Sequence, residues 1–339
     1  MATTSASTAT RRGTPVLRAY RGPQDHPAMT AVANAVRAHN DDPAIGTVAD
    51  MDNYYSRFDQ DRLLRDCALV ELDGQVVAYG RFSWEPMATG DQIVSGVLNV
   101  DPRARGGAVE GLLLQHAIDR TEELATELGA GRDVPLSIGV TDRDPELQRA
   151  AEARGFRRVR QFAHLIRPNL DHIPEIPLPA GFEIRPIAAD DRATHRRIWE
   201  ASARGFAGSY GEEVPTERDY QRWLEIPTFN PPLWRVAFHG DDIAGQILNY
   251  LDESIDADGG RLGWTESISV QPEFRRRGIA RALLAESLRA VRDAGATRAA
   301  LGADLQNPNE AATLYQSMGF RIVSVNHEYR LGPFPRTGR

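Results

Sequence analysis

The sequence predicts an α/β chain built from two tandem copies of one domain. Arg103-Ala104-Arg105-Gly106-Gly107-Ala108 and Arg275-Arg276-Arg277-Gly278-Ile279-Ala280 both read Arg-x-x-Gly-x-Ala, and each follows an apolar run ending in Val-x-Pro. The two lie about half of the 339-residue chain apart, a period of domain size. Two weaker echoes agree. Arg154-Gly155-Phe156-Arg157 answers Met318-Gly319-Phe320-Arg321, and Leu17-Arg18-Ala19-Tyr20 answers Ile184-Arg185-Pro186-Ile187.

Residues 1–14 are small, polar and aperiodic and are expected to form a disordered tail. A first domain over 15–167 opens with a short strand and a helix-like stretch from Met29 to His39. Strands at 68–72 and 76–84 flank Asp73-Gly74, a strong hairpin signal. A third strand, 93–100, leads into the first glycine turn, and the helix after it is expected to end at Gly129. Residues 168–181 carry Pro168, Pro174, Pro177 and Pro179, which excludes a helix or a central strand and marks a linker. A second domain over 182–339 repeats the order. It has a strand at 182–187, a helix over 190–205, an irregular aromatic stretch at 206–234, and strands at 234–238, 243–250 and 264–270. Ile279, Leu283, Leu284, Leu288 and Val291 then trace one helical face that ends before Gly295. A strand at 299–304, a capped helix from about Asn309 and a strand near 322–331 complete it.

The composition, 41% hydrophobic and 26% charged, belongs to an ordinary globular chain, and each half is long enough to close its own core. No apolar run reaches the ~20 residues of a membrane helix and the N-terminus shows no signal-peptide pattern, so a cytoplasmic location without a membrane partner is expected. The single cysteine, Cys67, forms no internal disulfide, and no Cys/His cluster has metal-ligand spacing, so no metal is expected. A net charge of −7 argues against a nucleic-acid partner and favours cationic small molecules such as amines.

The glycine turns carry the first chemistry. A strand, a turn and a helix start leave backbone N–H groups aimed at one point, where the helix dipole also favours an anion. Glycine at such a turn lets phosphate oxygens approach the backbone. This makes Arg275, Arg276, Arg277, Gly278, Ile279 and Ala280 candidates for a pyrophosphate site. Arg103, Arg105, Gly106, Gly107 and Ala108 are the weaker candidates of the first half.

From 264 to 331 the chain resembles the GNAT superfamily of acyl-CoA-dependent N-acetyltransferases, on the glycine turn, IARALL, and NPNEAATLYQSMGF. The first half resembles it less completely, over 93–167. The resemblance implies two tandem GNAT folds, each a mixed, splayed central sheet flanked by helices. It also implies acetyl-CoA as co-substrate, held near Val270, by the turn 275–280 and by Asn309, and a small-molecule amine as acceptor. Tyr315 takes the position of the family's proton donor, and the alternative for it is a core tyrosine. Glu266, four residues before Val270 and expected on the same strand face, is a candidate base for the ammonium proton or else a structural carboxylate. Asn309 fits both a CoA contact and a helix N-cap. Phe206, Tyr210, Tyr220, Trp223, Phe229 and Trp234 fall where the family builds its acceptor pocket, and equally suit a core.

The first half departs from this pattern, with Ala151 opposite Tyr315, Pro145 opposite Asn309 and Gly96 opposite Glu266. It is expected to be non-catalytic. The tandem layout and the ending LYQSMGF…SVNHEYRL are similar to those of the mycothiol synthases, which acetylate a cysteinyl amine. A non-catalytic acyl-CoA sensor is the competing class. A P-loop phosphotransferase is disfavoured because neither turn ends in Gly-Lys-Ser/Thr. A tandem chain can pair internally, so a monomer is expected, with a dimer left open.

Overall fold

The computed structural model describes residues 13–40, 45–86, 92–127, 134–207, 216–255, 259–307 and 311–334, and among these it contains twelve strands and nine α-helices. The chain divides into two compact units. One comprises Met1–Glu85, Gln92–Arg158 and Tyr329–Arg339, the other Pro86–Asp91 and Val159–Glu328.

The first unit begins with β1 (Val16–Ala19), α1 (His26–His39), α2 (Val48–Tyr55) and α3 (Gln60–Asp66). There follow β2 (Cys67–Leu72), β3 (Gln75–Pro86), β4 (Gln92–Val100), α4 (Ala108–Glu127), β5 (Val134–Thr141) and α5 (Pro145–Glu152). Its strands are hydrogen-bonded in the order β1-β2-β3-β4-β5. The β2–β3 hairpin turns on Asp73 and Gly74, both at positive φ, 53° and 75°, the conformation Asp-Gly adopts in two-residue hairpin loops. β4 and β5 pair in parallel over Val94–Gly96 and Leu136–Ile138. Cys67 is 1% exposed, and burial pushes its thiol up to about 12, as expected of a packed residue at the start of a strand. The stretch between α1 and β2 differs from the sequence reading: α2 and α3 stand where no helix was expected.

The second unit contains most of β6 (Arg157–Arg167), then β7 (Glu183–Arg185), α6 (Arg192–Phe206), α7 (Glu217–Leu224), β8 (Arg235–His239) and β9 (Asp242–Ile255). β10 (Arg261–Val270), α8 (Ile279–Asp293), β11 (Arg298–Asp304), α9 (Ala311–Ser317) and most of β12 (Arg321–Phe334) complete it. Its strands are ordered β12-β6-β11-β10-β9-β8-β7. β10 and β11 pair in parallel only over Leu262–Trp264 with Arg298–Ala300, although both run further. Two adjacent parallel strands that part beyond a short pairing leave the splay expected in this sheet.

α8 forms because Ile279, Leu283, Leu284, Leu288 and Val291 recur on one face, and all are at most 1% exposed. It stops in a Schellman motif, in which Ala296 N–H donates to Val291 O (2.9 Å), Gly295 N–H donates to Arg292 O (2.8 Å), and Gly295 takes φ 99°. The Pro-rich stretch 168–181 contains no helix or strand. Arg167 anchors its start, donating to Asn169 O (3.0 Å), His172 O (2.7 Å) and Met318 O.

Candidate active site

The Gly-Phe echo proves to be one helix ending used twice. After α9, Phe320 N–H donates to Tyr315 O (3.2 Å) and Gly319 N–H to Gln316 O (3.0 Å), with Gly319 at φ 89°. After α5, Phe156 N–H donates to Ala151 O (3.2 Å) and Gly155 N–H to Glu152 O (3.0 Å), with Gly155 at φ 85°. In such a motif the residue before the final turn packs against the one following the glycine. Tyr315 and Phe320 meet in this way, ring to ring at 6.4 Å. Ala151 therefore occupies Tyr315's place in the first unit, and it is fully buried there.

Tyr315 is 5% exposed and belongs to the core of the second unit. Its hydroxyl makes no hydrogen bond among the described residues. Burial pushes the phenol up to about 12, so it keeps its proton throughout the neutral range. A buried ring with an uncommitted hydroxyl can give that proton to a stronger base, such as a departing thiolate.

Glu266 departs from the expectation that it shares a strand face with Val270. Glu266 pairs with Leu248, but the next paired residue, Ser269, meets Gln246, so β10 carries one extra residue, with Ser267 at φ 49°. This bulge inverts the alternation. Glu266 and Ser269 share one face, and Val270 turns to the other, against the core that includes Leu283. The Glu266 carboxylate accepts a hydrogen bond from Tyr250 Oη (3.3 Å). Although the side chain reaches solvent, the surrounding protein raises its pKa, an effect the Tyr250 hydrogen bond opposes. No hydrogen bond joins Glu266 to Tyr315 among the described residues.

Beside Glu266 runs a row of rings that sequence reasoning missed. Tyr250 stacks on Trp264 (6.1 Å, 11° between planes), and Trp264 stacks on His164 (5.3 Å, 9°). Trp264 and Tyr250 are cross-strand partners, and His164 lies opposite Gly302, where an added Cβ would meet nothing within 4 Å. The row joins positions far apart in sequence, and only strand pairing reveals it.

The second glycine turn has the features of an anion cradle. Gly278 caps α8 at φ 84°, and the N–H groups of Gly278, Ile279 and Ala280 find no acceptor among the described residues. A Cβ at Gly278 would meet nothing within 4 Å. Of the three arginines, Arg275 turns inward, donating to Val270 O and Gly205 O, both at 3.0 Å. Arg277 donates to Glu273 O (3.2 Å) and sits 5.7 Å from the Phe274 ring. Arg276, held at φ 62°, is exposed and makes no hydrogen bond or ion pair among the described residues. These residues fit a pyrophosphate: open space, unpaired donors and one unengaged cation. Asn309 lies outside the described residues, as does Tyr210.

The predicted aromatic stretch is mainly core. Trp234 is 3% exposed and clusters with Trp223 (5.2 Å) and Phe229 (5.0 Å), and Tyr220 is 6% exposed. Phe206 is exposed at the end of α6. No helix among the described residues is long and apolar enough to cross a membrane, and no group of three or more His, Cys, Asp or Glu side chains there could hold a metal ion.

A family model described as an acetyltransferase (GNAT) domain matches residues 232–322. The chain is 32% identical to a mycothiol acetyltransferase of Salinispora tropica over 62% of this chain and 67% of that protein. It is 28% identical to one of Thermobispora bispora, over 70% and 75% respectively. Among solved structures, a GCN5-related N-acetyltransferase from Sphaerobacter thermophilus matches with a TM-score of 0.73 and 23% identity, covering 95% of this chain and 97% of that one. A tandem GNAT protein from the clavulanic acid biosynthesis pathway matches at 0.61 and 18% identity, covering 95% and 99%.

Proposed function

The chain belongs to the GNAT acetyltransferase family, and from that premise we propose that it moves an acetyl group from acetyl-CoA to the primary amine of a small molecule, by direct transfer within a ternary complex in its second half. The observation that carries this reading is the pairing of an open glycine cradle with an uncommitted, protonated Tyr315 in the same unit. Acetyl-CoA supplies an activated acyl group on a thiol leaving group. The N–H groups of Gly278, Ile279 and Ala280, with Arg276, would hold its pyrophosphate. Tyr315 would donate the proton that the leaving thiolate needs. Glu266, whose raised pKa makes it a better proton acceptor than an ordinary carboxylate, would take the ammonium proton directly or through water.

The acceptor side carries a finer reading. The ring row Tyr250-Trp264-His164 ends beside the Glu266 carboxylate, a combination suited to an amine attached to a flat, partly apolar body. The named relatives are mycothiol acetyltransferases, and acetylation of a cysteinyl amine on a thiol sugar conjugate is the specific acceptor proposed.

Thiol release from acetyl-CoA across an amine panel that includes such a cysteinyl amine tests both levels. Turnover is expected with at least one amine, and Tyr315→Phe should lower it by about 10²- to 10⁴-fold with acetyl-CoA affinity unchanged. Binding of acetyl-CoA without turnover on any amine would favour a sensor. A Tyr315→Phe enzyme within twofold of wild type would remove Tyr315 from the chemistry.

A further inference from the structure

The two glycine turns share a sequence pattern but not a state. In the first, Gly106 N–H donates to Glu110 Oε1 (3.1 Å) and Gly107 N–H to Glu110 Oε2 (2.8 Å). These are two of the three positions that correspond to the unpaired N–H groups of Gly278, Ile279 and Ala280. Glu110 lies in the first turn of α4 and is fully buried. Its counterpart in the second turn is Ala282, also fully buried, which has no side-chain acceptor to offer.

The arginines of the first turn are engaged as well. Arg103 donates to both oxygens of Asp101, at 3.0 and 2.6 Å. Arg105 pairs with Asp144 at 3.1 Å, both side chains 6% exposed, and donates to Arg143 O (3.2 Å). Asp144 is itself fixed as the N-cap of α5, accepting from Leu147 N–H at 3.0 Å. The place of the free Arg276 is taken by Ala104.

We infer that Glu110 is an internal anion that locks the first cradle, so that the chain takes one acetyl-CoA, in its second half only. A carboxylate bridging two adjacent N–H groups satisfies the same donors a phosphate would use, and it carries the same sign of charge. An entering pyrophosphate would have to displace a buried charge from two hydrogen bonds and then remain beside it. Displacement leaves that carboxylate without partners in a buried site, which is strongly unfavourable. The second turn opposes entry with neither cost. Glu110 is thus the residue that decides which of two similar turns is a nucleotide site. The stoichiometry rests on the reading that the second turn binds acetyl-CoA, whereas the lock does not.

Two measurements test it. Calorimetric titration with acetyl-CoA should give one site per chain in the wild type, one in Gly106→Glu and none in Gly278→Glu, with folding checked by circular dichroism. Arg276→Glu, which leaves Gly278 unchanged, should weaken that one site and guards against a Gly278→Glu protein that fails to fold. Two sites in the wild type, or a site that survives in folded Gly278→Glu, would overturn the inference. No binding to the wild type would overturn the proposed function instead. Hydrogen exchange then decides the lock without ligand. Glu110→Gln keeps the volume and removes the charge and one acceptor oxygen, and the Gly106 and Gly107 amides should exchange at least about tenfold faster. Unchanged exchange at both glycines would show that Glu110 does not hold them.

Discussion

At the scale of single residues, neighbours in sequence have opposite tasks. Arg275 and Arg276 belong to one basic run, but the first ties Val270 O to Gly205 O, and the second makes no hydrogen bond or ion pair among the described residues. Arg275→Ala should therefore cost stability, about 1.5–3 kcal/mol for hydrogen bonds from a charged group, as read by denaturant unfolding. Arg276→Ala should leave the melting temperature unchanged and raise the KM for acetyl-CoA. The reverse pattern would assign the phosphate contact to Arg275. Glu266 makes a pH prediction. A base works ionised, so activity is lost as pH falls through its pKa, and because protein around Glu266 raises that pKa, the acid limb of kcat/KM should lie above the ordinary glutamate value of about 4.3. Glu266→Gln should remove that limb. A limb retained in the variant would give Glu266 a structural role.

At the scale of elements, α2 and α7 begin alike. Thr47 and Thr216 each accept from the N–H of the residue three positions on, Asp50 at 3.1 Å and Asp219 at 3.3 Å, and each aspartate accepts in return from the threonine N–H. These are capping boxes with aspartate in place of glutamate. Thr216→Ala should lower stability by about 1 kcal/mol, seen as a shifted unfolding midpoint; no shift would mean that α7 is fixed by its aromatic packing alone. The Thr-x-x-Asp spacing was present in the sequence, and it marks two of the helices that the hydrophobic period did not reveal, whereas α3 starts at an Asp59 cap. Long periodic elements such as α8, the Asp73-Gly74 hairpin and the glycine turns were legible because each rests on local chemistry. The bulge in β10 was not, since nothing in Thr265-Glu266-Ser267-Ile268 distinguishes it from regular alternation, and with it went the shared face of Glu266 and Val270. The engagement of Arg275 was equally hidden, because its acceptor Gly205 lies far off in sequence. The Glu110 lock was within reach, three residues beyond Gly107, where a carboxylate can turn back on free N–H groups.

At the scale of the whole molecule, the repeat preserves a fold while the residues at corresponding positions differ. Both units keep parallel strands ahead of a glycine turn, and both keep the Gly-Phe helix ending. Only the second keeps the tyrosine, the carboxylate beside the ring row and the open cradle. In the first, Ala151 is packed away, Gly96 is hemmed in by the Phe82 ring, and Pro145 opens α5 behind the Asp144 cap. The most direct test is the turnover of Gly106→Glu and Gly278→Glu measured side by side, per folded molecule, with a productive amine. Gly106→Glu should retain most of the wild-type rate, and Gly278→Glu should abolish it. Comparable loss in both variants would contradict the assignment of catalysis to the second half.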